Sequence, residues 1–207
     1  MIKRIAVYCG ARDGNDPAFN YEAQRFGEWL VQRDIELVYG AGAFGLMGTL
    51  ARTVLKNGGV VHGVITTELA ERGAIYNELK DVRIVPNMDI RKQTMMDLAD
   101  GLLAFPGGFG TLEEITEAAS WTTVGDNHKP VAFYNFNGFY DSLNDLFKQM
   151  NKAGFVEDPY LNSICFSDQF DQILAFMQNY KAPAHRQYTQ HSKIKNAVLQ
   201  RQHYFNG

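Results

Sequence analysis

Residues 102–114 read Leu-Leu-Ala-Phe-Pro-Gly-Gly-Phe-Gly-Thr-Leu-Glu-Glu. Four apolar residues, a proline and three glycines, then Leu112, Ile115, Ala119 and Thr122 at helical spacing, spell a strand, a tight loop and a helix. The strand lacks polar alternation, so helices should cover both of its faces, as in a parallel sheet. The same unit recurs on either side. Short apolar runs at Arg4–Cys9, Ile35–Tyr39, Val60–Ile65, Val82–Val85, Val131–Tyr134 and Ile164–Phe166 alternate with amphipathic stretches. Phe19, Ala23, Phe26 and Leu30 form one apolar stripe, and Phe139, Leu143, Leu146, Phe147 and Met150 form another, both expected to be core. Asn137-Gly138 marks the turn before the latter. This is the signature of an α/β fold: a Rossmann-like, doubly wound, mainly parallel sheet of six or seven strands with helices on both faces.

Composition narrows the class. The chain has 207 residues, 45% hydrophobic and 21% charged, which suits one large globular domain and argues against disorder. The net charge of −3 gives no overall pull towards nucleic acid or an anionic membrane, and neither is expected as a partner. No apolar run is long enough to span a bilayer, and the amino terminus is too short in apolar residues for a signal peptide. Two cysteines, Cys9 and Cys165, make neither a disulfide framework nor a metal cluster, so a reduced, cytoplasmic setting is expected. Charge is unevenly placed: residues 180–207 hold five Lys/Arg and no Asp or Glu, a basic C-terminal extension to the domain at 1–179.

In an open α/β sheet, ligands bind beyond the carboxyl ends of the strands. The segments there are Cys9-Gly10-Ala11-Arg12, Gly40 to Gly48, Pro86 to Lys92 and Pro106 to Glu114. Gly107, Gly108 and Gly110 let the backbone approach a ligand, and the helix that follows offers unpaired N–H groups to an anion such as phosphate. Thr111 adds a hydroxyl there, and Glu114 sits one turn deeper on the same face. That spacing suits a carboxylate acting on the far end of a ligand whose phosphate is held at the helix start. Arg91, at the crevice edge, can bind phosphate or sugar hydroxyls and pair with Glu114. Glu113 and Glu117 share another face and read as a solvated or packing edge. Gly40-x-Gly42-x-x-Gly45 fits a dinucleotide fingerprint by letter but follows the second strand rather than the first, so an oxidoreductase is a weak rival. There is no Gly-Lys-Ser/Thr phosphate loop, no nucleophile elbow and no metal-ligand spacing.

Pro106 to Glu114 is similar to the P-G-G-x-G-T-x-x-E motif of the Lonely Guy (LOG) family. Val38-Tyr39-Gly40-Ala41-Gly42-x-x-Gly45-Leu46-Met47-Gly48 and Met88-x-x-Arg91-Lys92-x-x-Met95 resemble two further family segments, with Ala41 and Asp89 in place of a glycine and a histidine, and Ala11-Arg12 in place of two serines. The resemblance spans about Ile2 to Phe176. It implies a nucleotide-binding catalytic domain that hydrolyses the N-glycosidic bond of a purine nucleoside 5′-monophosphate, cytokinin-type or AMP-like, to free base and ribose 5-phosphate. It implies Arg91 and Glu114 as the catalytic pair. Gly107, Gly108, Gly110 and Thr111 would hold the phosphate with Lys92 nearby, and Gly42 and Gly45 would line the same cavity. No metal or other cofactor is called for. A non-catalytic nucleotide-binding or regulatory protein on the same scaffold is the alternative. Trp29, Trp121 and many phenylalanines, read as facing away from the crevice, together with the resemblance, predict a homodimer.

Overall fold

The computed structural model describes residues 1–186, so the greater part of the basic extension, 187–207, lies outside the described residues. All seven expected strands form: β1 (Arg4–Tyr8), β2 (Glu36–Tyr39), β3 (Val61–Thr66), β4 (Asp81–Val85), β5 (Gly101–Ala104), β6 (Val131–Tyr134) and β7 (Ile164–Ser167). They make one sheet in the order β4-β3-β2-β1-β5-β6-β7, every pair parallel. The chain lays strands outward from β1 on one side, then returns to β5 and builds outward on the other. The order therefore reverses between β1 and β5, and a crevice opens above their carboxyl ends.

Strand alternation divides the core between the two faces. Ile5 and Val7 of β1 belong to the cluster covered by α1 (Pro17–Val31), α2 (Gly45–Lys56) and α8 (Phe170–Asn179). Ala6 and Tyr8 belong to the cluster covered by α4 (Met88–Leu98), α5 (Phe109–Val124) and α6 (Asp141–Lys152). The helices begin where local chemistry allows. Asp16 caps α1 by accepting from the Ala18 N–H, with Pro17 at the first helical position. Asn87 caps α4 by accepting from the Ile90 N–H at 2.9 Å. Gly125, in the left-handed region at φ 90°, ends α5. Two short α-helices, α3 (Thr67–Glu71) and α7 (Asp158–Leu161), and a 3-10 turn at Phe136–Gly138 complete the described elements.

Two expectations about burial need correcting. The α6 stripe is not a fully buried core: no residue of α6 is buried, and Leu146 is 44% exposed. Leu143 and Phe147 pack on the core, Phe147 against Phe133 and Phe166, but the sheet ends at β7 and nothing described covers the helix's outer flank. Trp29, conversely, is core rather than surface. Its ring stacks on Phe26 at 5.5 Å and its indole N–H donates to Asp171. Trp121 is half-buried against the second cluster. The first residues of the extension run back along the end of α5: the Arg186 N–H donates to the Thr123 carbonyl, and Tyr160 donates its hydroxyl proton to the Ala184 carbonyl. No helix among the described residues is long and apolar enough to cross a membrane.

Candidate active site

The loops after β1 and β5 run side by side at the reversal point. The Gly10 N–H donates to the Pro106 carbonyl at 3.0 Å, and Gly10 and Gly107 pack backbone to backbone. A side chain at Gly107 would collide with Thr111, whose own side chain closes over it. α5 then starts at Gly108 without a side-chain cap, and its first helical bond runs from the Leu112 N–H to the Gly108 carbonyl. The N–H groups of Phe109, Gly110 and Thr111 therefore have no partner within the helix. A Cβ on Gly108 or Gly110 would meet nothing within 4 Å, so this helix end stands open. Above it lies a cleft of about 470 Å³, lined by Tyr8, Gly40, Arg91, Gly108, Thr111 and Glu114 among others. That volume is in the range of small-molecule sites.

Arg91 and Glu114 meet across this cleft from different helices. Arg91 Nη1 donates to Glu114 Oε1 at 2.6 Å, and both side chains are almost wholly buried. A second bond, Arg91 Nε to the Val64 carbonyl at 3.0 Å, fixes the plane of the guanidinium. Gly40 leaves the space: a Cβ there would overlap Arg91 Nη2 and lie 3.2 Å from Cζ. Burial pushes the Glu114 carboxyl above the ordinary carboxylate range, with the Arg91 charge opposing the shift. The pair is thus a desolvated carboxylate of raised proton affinity, held in one orientation, one turn inside a helix whose N-terminus can take an anion.

The remaining expected site residues fall elsewhere. Lys92 Nζ donates to Glu113 at 2.5 Å and to Glu117 at 2.7 Å, and it is not among the residues lining the cleft. The glutamates taken for a packing edge are its partners, and they hold it outside the cleft. Gly42 forms an isolated bridge with Ile75, and Gly45, at φ 60°, packs on the backbone of Ala11 and Arg12. Neither lines the cleft. Ala41 adopts φ 57°, a region that explains why a glycine is the more usual occupant. Tyr8 was not among the expected site residues, and Gly40, placed at the ligand edge, was not assigned the seat it gives Arg91. The signals were there: Gly40 directly follows a strand, and alternation puts Tyr8 on the α4–α5 face.

The fold and cleft define a Rossmann-like α/β protein whose reversal-point crevice joins an open helix N-terminus to a buried arginine–glutamate pair. Residues 47–177 match the family model described as "Possible lysine decarboxylase". The chain is 37% identical over 184 residues to the rice protein "Probable cytokinin riboside 5'-monophosphate phosphoribohydrolase LOGL5", covering 89% of this chain and 75% of that one (Oryza sativa subsp. japonica). It is 36% identical over 184 residues to "Cytokinin riboside 5'-monophosphate phosphoribohydrolase LOG2" of Arabidopsis thaliana, covering 89% and 86%. Among solved structures, the molybdenum cofactor binding protein of Rippkaea orientalis matches with a TM-score of 0.63 at 16% identity, over 86% of this chain and 96% of that one, a likeness of fold. The chain belongs to the Lonely Guy (LOG) family.

Proposed function

We propose that this protein hydrolyses the N-glycosidic bond of a purine nucleoside 5′-monophosphate, releasing the base and ribose 5-phosphate. The relatives named above as phosphoribohydrolases support that reaction class. The observation that carries it here is the buried Arg91–Glu114 pair one turn inside the open end of α5. The 5′-phosphate sits on the free N–H groups of that helix end, beside Gly107, Gly108, Gly110 and the Thr111 hydroxyl. This anchors the ribose with its base-bearing carbon towards Glu114. Cleavage passes through an oxocarbenium-like transition state. The Glu114 carboxylate stabilises the developing positive charge and takes a proton from the attacking water. Arg91 keeps the carboxylate oriented, and its Nη2, which makes no hydrogen bond to a described residue, is left for the sugar. Binding of the remote phosphate fixes the reacting bond against the carboxylate.

The apolar part of the cleft, from Leu69, Met88 and Phe139, receives the base. Residues 1–179 form the catalytic domain and 180–207 its extension. The protein acts as a homodimer through apolar surface that one chain leaves open: Phe109 is 93% and Val124 52% exposed. Light scattering then gives twice the 23.3 kDa chain mass; a stable single-chain particle contradicts the dimer. For the activity, purified protein is incubated with AMP, GMP, CMP and isopentenyladenosine monophosphate and assayed by chromatography for free base. Release from a purine substrate is expected. No base from any of the four at high enzyme concentration overturns the reading.

A further inference from the structure

Tyr8 is the last residue of β1 and points to the face covered by α4 and α5, the helices that carry Arg91 and Glu114. Only 2% of the residue is exposed, yet it lines the cleft. Its hydroxyl makes no hydrogen bond to any described residue, and it is not among the described side-chain atoms that are both sealed from solvent and unpartnered, which are the hydroxyls of Tyr39 and Tyr180. The ring is packed away while the oxygen looks into the cleft. The nearby charges that act on it are Glu114, Arg91, Glu117 and Glu113, and burial holds its proton on, so it is a neutral phenol at any working pH.

Glu114 has one oxygen engaged by Arg91, while its Oε2 has no partner among the described residues. An unpartnered carboxylate oxygen and an unpartnered phenolic hydroxyl thus line the same cleft, close enough for the Glu114 charge to act on the Tyr8 hydroxyl. We infer that the Tyr8 hydroxyl is a further catalytic residue, which holds the hydrolytic water together with Glu114. This rests on the proposed hydrolysis and deepens it. A nucleophilic water must keep a lone pair aimed at the anomeric carbon. Two acceptors, Glu114 Oε2 and the Tyr8 oxygen, occupy both of its hydrogens and leave the lone pairs free. In the step, the water oxygen forms the new bond to the anomeric carbon as the C–N bond breaks. The C–N electron pair leaves on the base nitrogen. The proton lost by the water passes to Glu114. Bulk water protonates the departing base, and Glu114 returns its proton to solvent.

The conservative variant Tyr8→Phe tests this without threatening the fold, because the hydroxyl it removes bonds to nothing described and the ring is kept. Its melting temperature is expected to match or exceed that of the parent. With isopentenyladenosine monophosphate or AMP, kcat is expected to fall about ten-fold, the scale of one lost hydrogen bond. KM and the affinity for ribose 5-phosphate, measured by calorimetry, stay within two- to three-fold of the parent. A nucleophile competition gives a readout that packing cannot move: in mixed methanol–water, the ratio of methyl riboside phosphate to ribose 5-phosphate rises in Tyr8→Phe, because methanol offers one hydrogen and never needed the second acceptor. Unchanged kcat and unchanged product ratio overturn the role of Tyr8 alone. A matching loss of ribose 5-phosphate affinity also overturns it, by making Tyr8 a sugar contact. An inactive parent protein instead removes the hydrolysis reading, and this inference with it.

Discussion

Gly40→Ala is the sharpest perturbation of the site, because it adds one methyl and touches no charge. Gly40 is not among the residues at positive φ, so alanine meets no backbone penalty. The methyl would instead fall inside the guanidinium of Arg91, overlapping Nη2, with Cζ at 3.2 Å and Met47 Sδ at 3.3 Å. The backbone of β2 is held in register between β1 and β3 and does not yield. Arg91 must give way, by roughly 1.5 Å to regain ordinary contact. It cannot do so while keeping both the 3.0 Å bond to Val64 and the 2.6 Å bond to Glu114. A displacement of that size in a catalytic group costs on the order of 100-fold in rate, or about 2.7 kcal/mol in the barrier. Overpacking adds a destabilisation of about 1–3 kcal/mol. Initial rates with isopentenyladenosine monophosphate, alongside thermal unfolding to show a folded variant, measure both. A folded Gly40→Ala enzyme within three-fold of the parent's kcat/KM would refute the claim that the orientation of Arg91 limits catalysis.

Three further outcomes follow from the same geometry. Glu114→Gln should lose about 10²–10⁴-fold in kcat while retaining affinity for ribose 5-phosphate; a variant that keeps its rate would leave a nucleotide-binding role without catalysis. Because burial raises the Glu114 pKa, the acid limb of the kcat/KM profile should lie above the ordinary carboxylate range, with activity present above that pH and lost as pH falls through it; a limb at or below about 4.3, the ordinary glutamate value, would contradict this. Lys92→Met should lower the melting temperature but leave KM for the nucleotide within a factor of about two, since Lys92 serves Glu113 and Glu117; a large rise in KM would return it to the phosphate site.

The sheet was legible because its central strands are covered on both faces. Runs such as Leu102–Phe105 and Val131–Tyr134 can be little else, and the glycine loops after them mark the ligand edge. The Thr111–Glu114 spacing placed a carboxylate one turn inside the open end of α5 for the same local reason. What sequence could not settle was direction about a helix axis. Arg91 and Lys92 are neighbours, yet their side chains leave α4 roughly 100° apart. One meets Glu114 in the cleft, and the other meets Glu113 and Glu117, which do not line it. The stripe on α6 looked like core because periodicity reports amphipathicity and not what lies opposite; at the end of a sheet, that is partly nothing. Trp29 was misread for the converse reason, since its neighbour Phe170 arrives from the other end of the chain. The seat that Gly40 provides for Arg91 depends on a contact between residues far apart in sequence, which no local pattern records.

The proposed hydrolysis requires a sugar phosphate to lodge on the open end of α5. A crystal structure of the protein soaked with ribose 5-phosphate should show the phosphoryl oxygens on the N–H groups of Phe109, Gly110 and Thr111, with the anomeric carbon turned to Glu114. Density for the phosphate anywhere else, with Glu114 out of reach of the sugar, would contradict it.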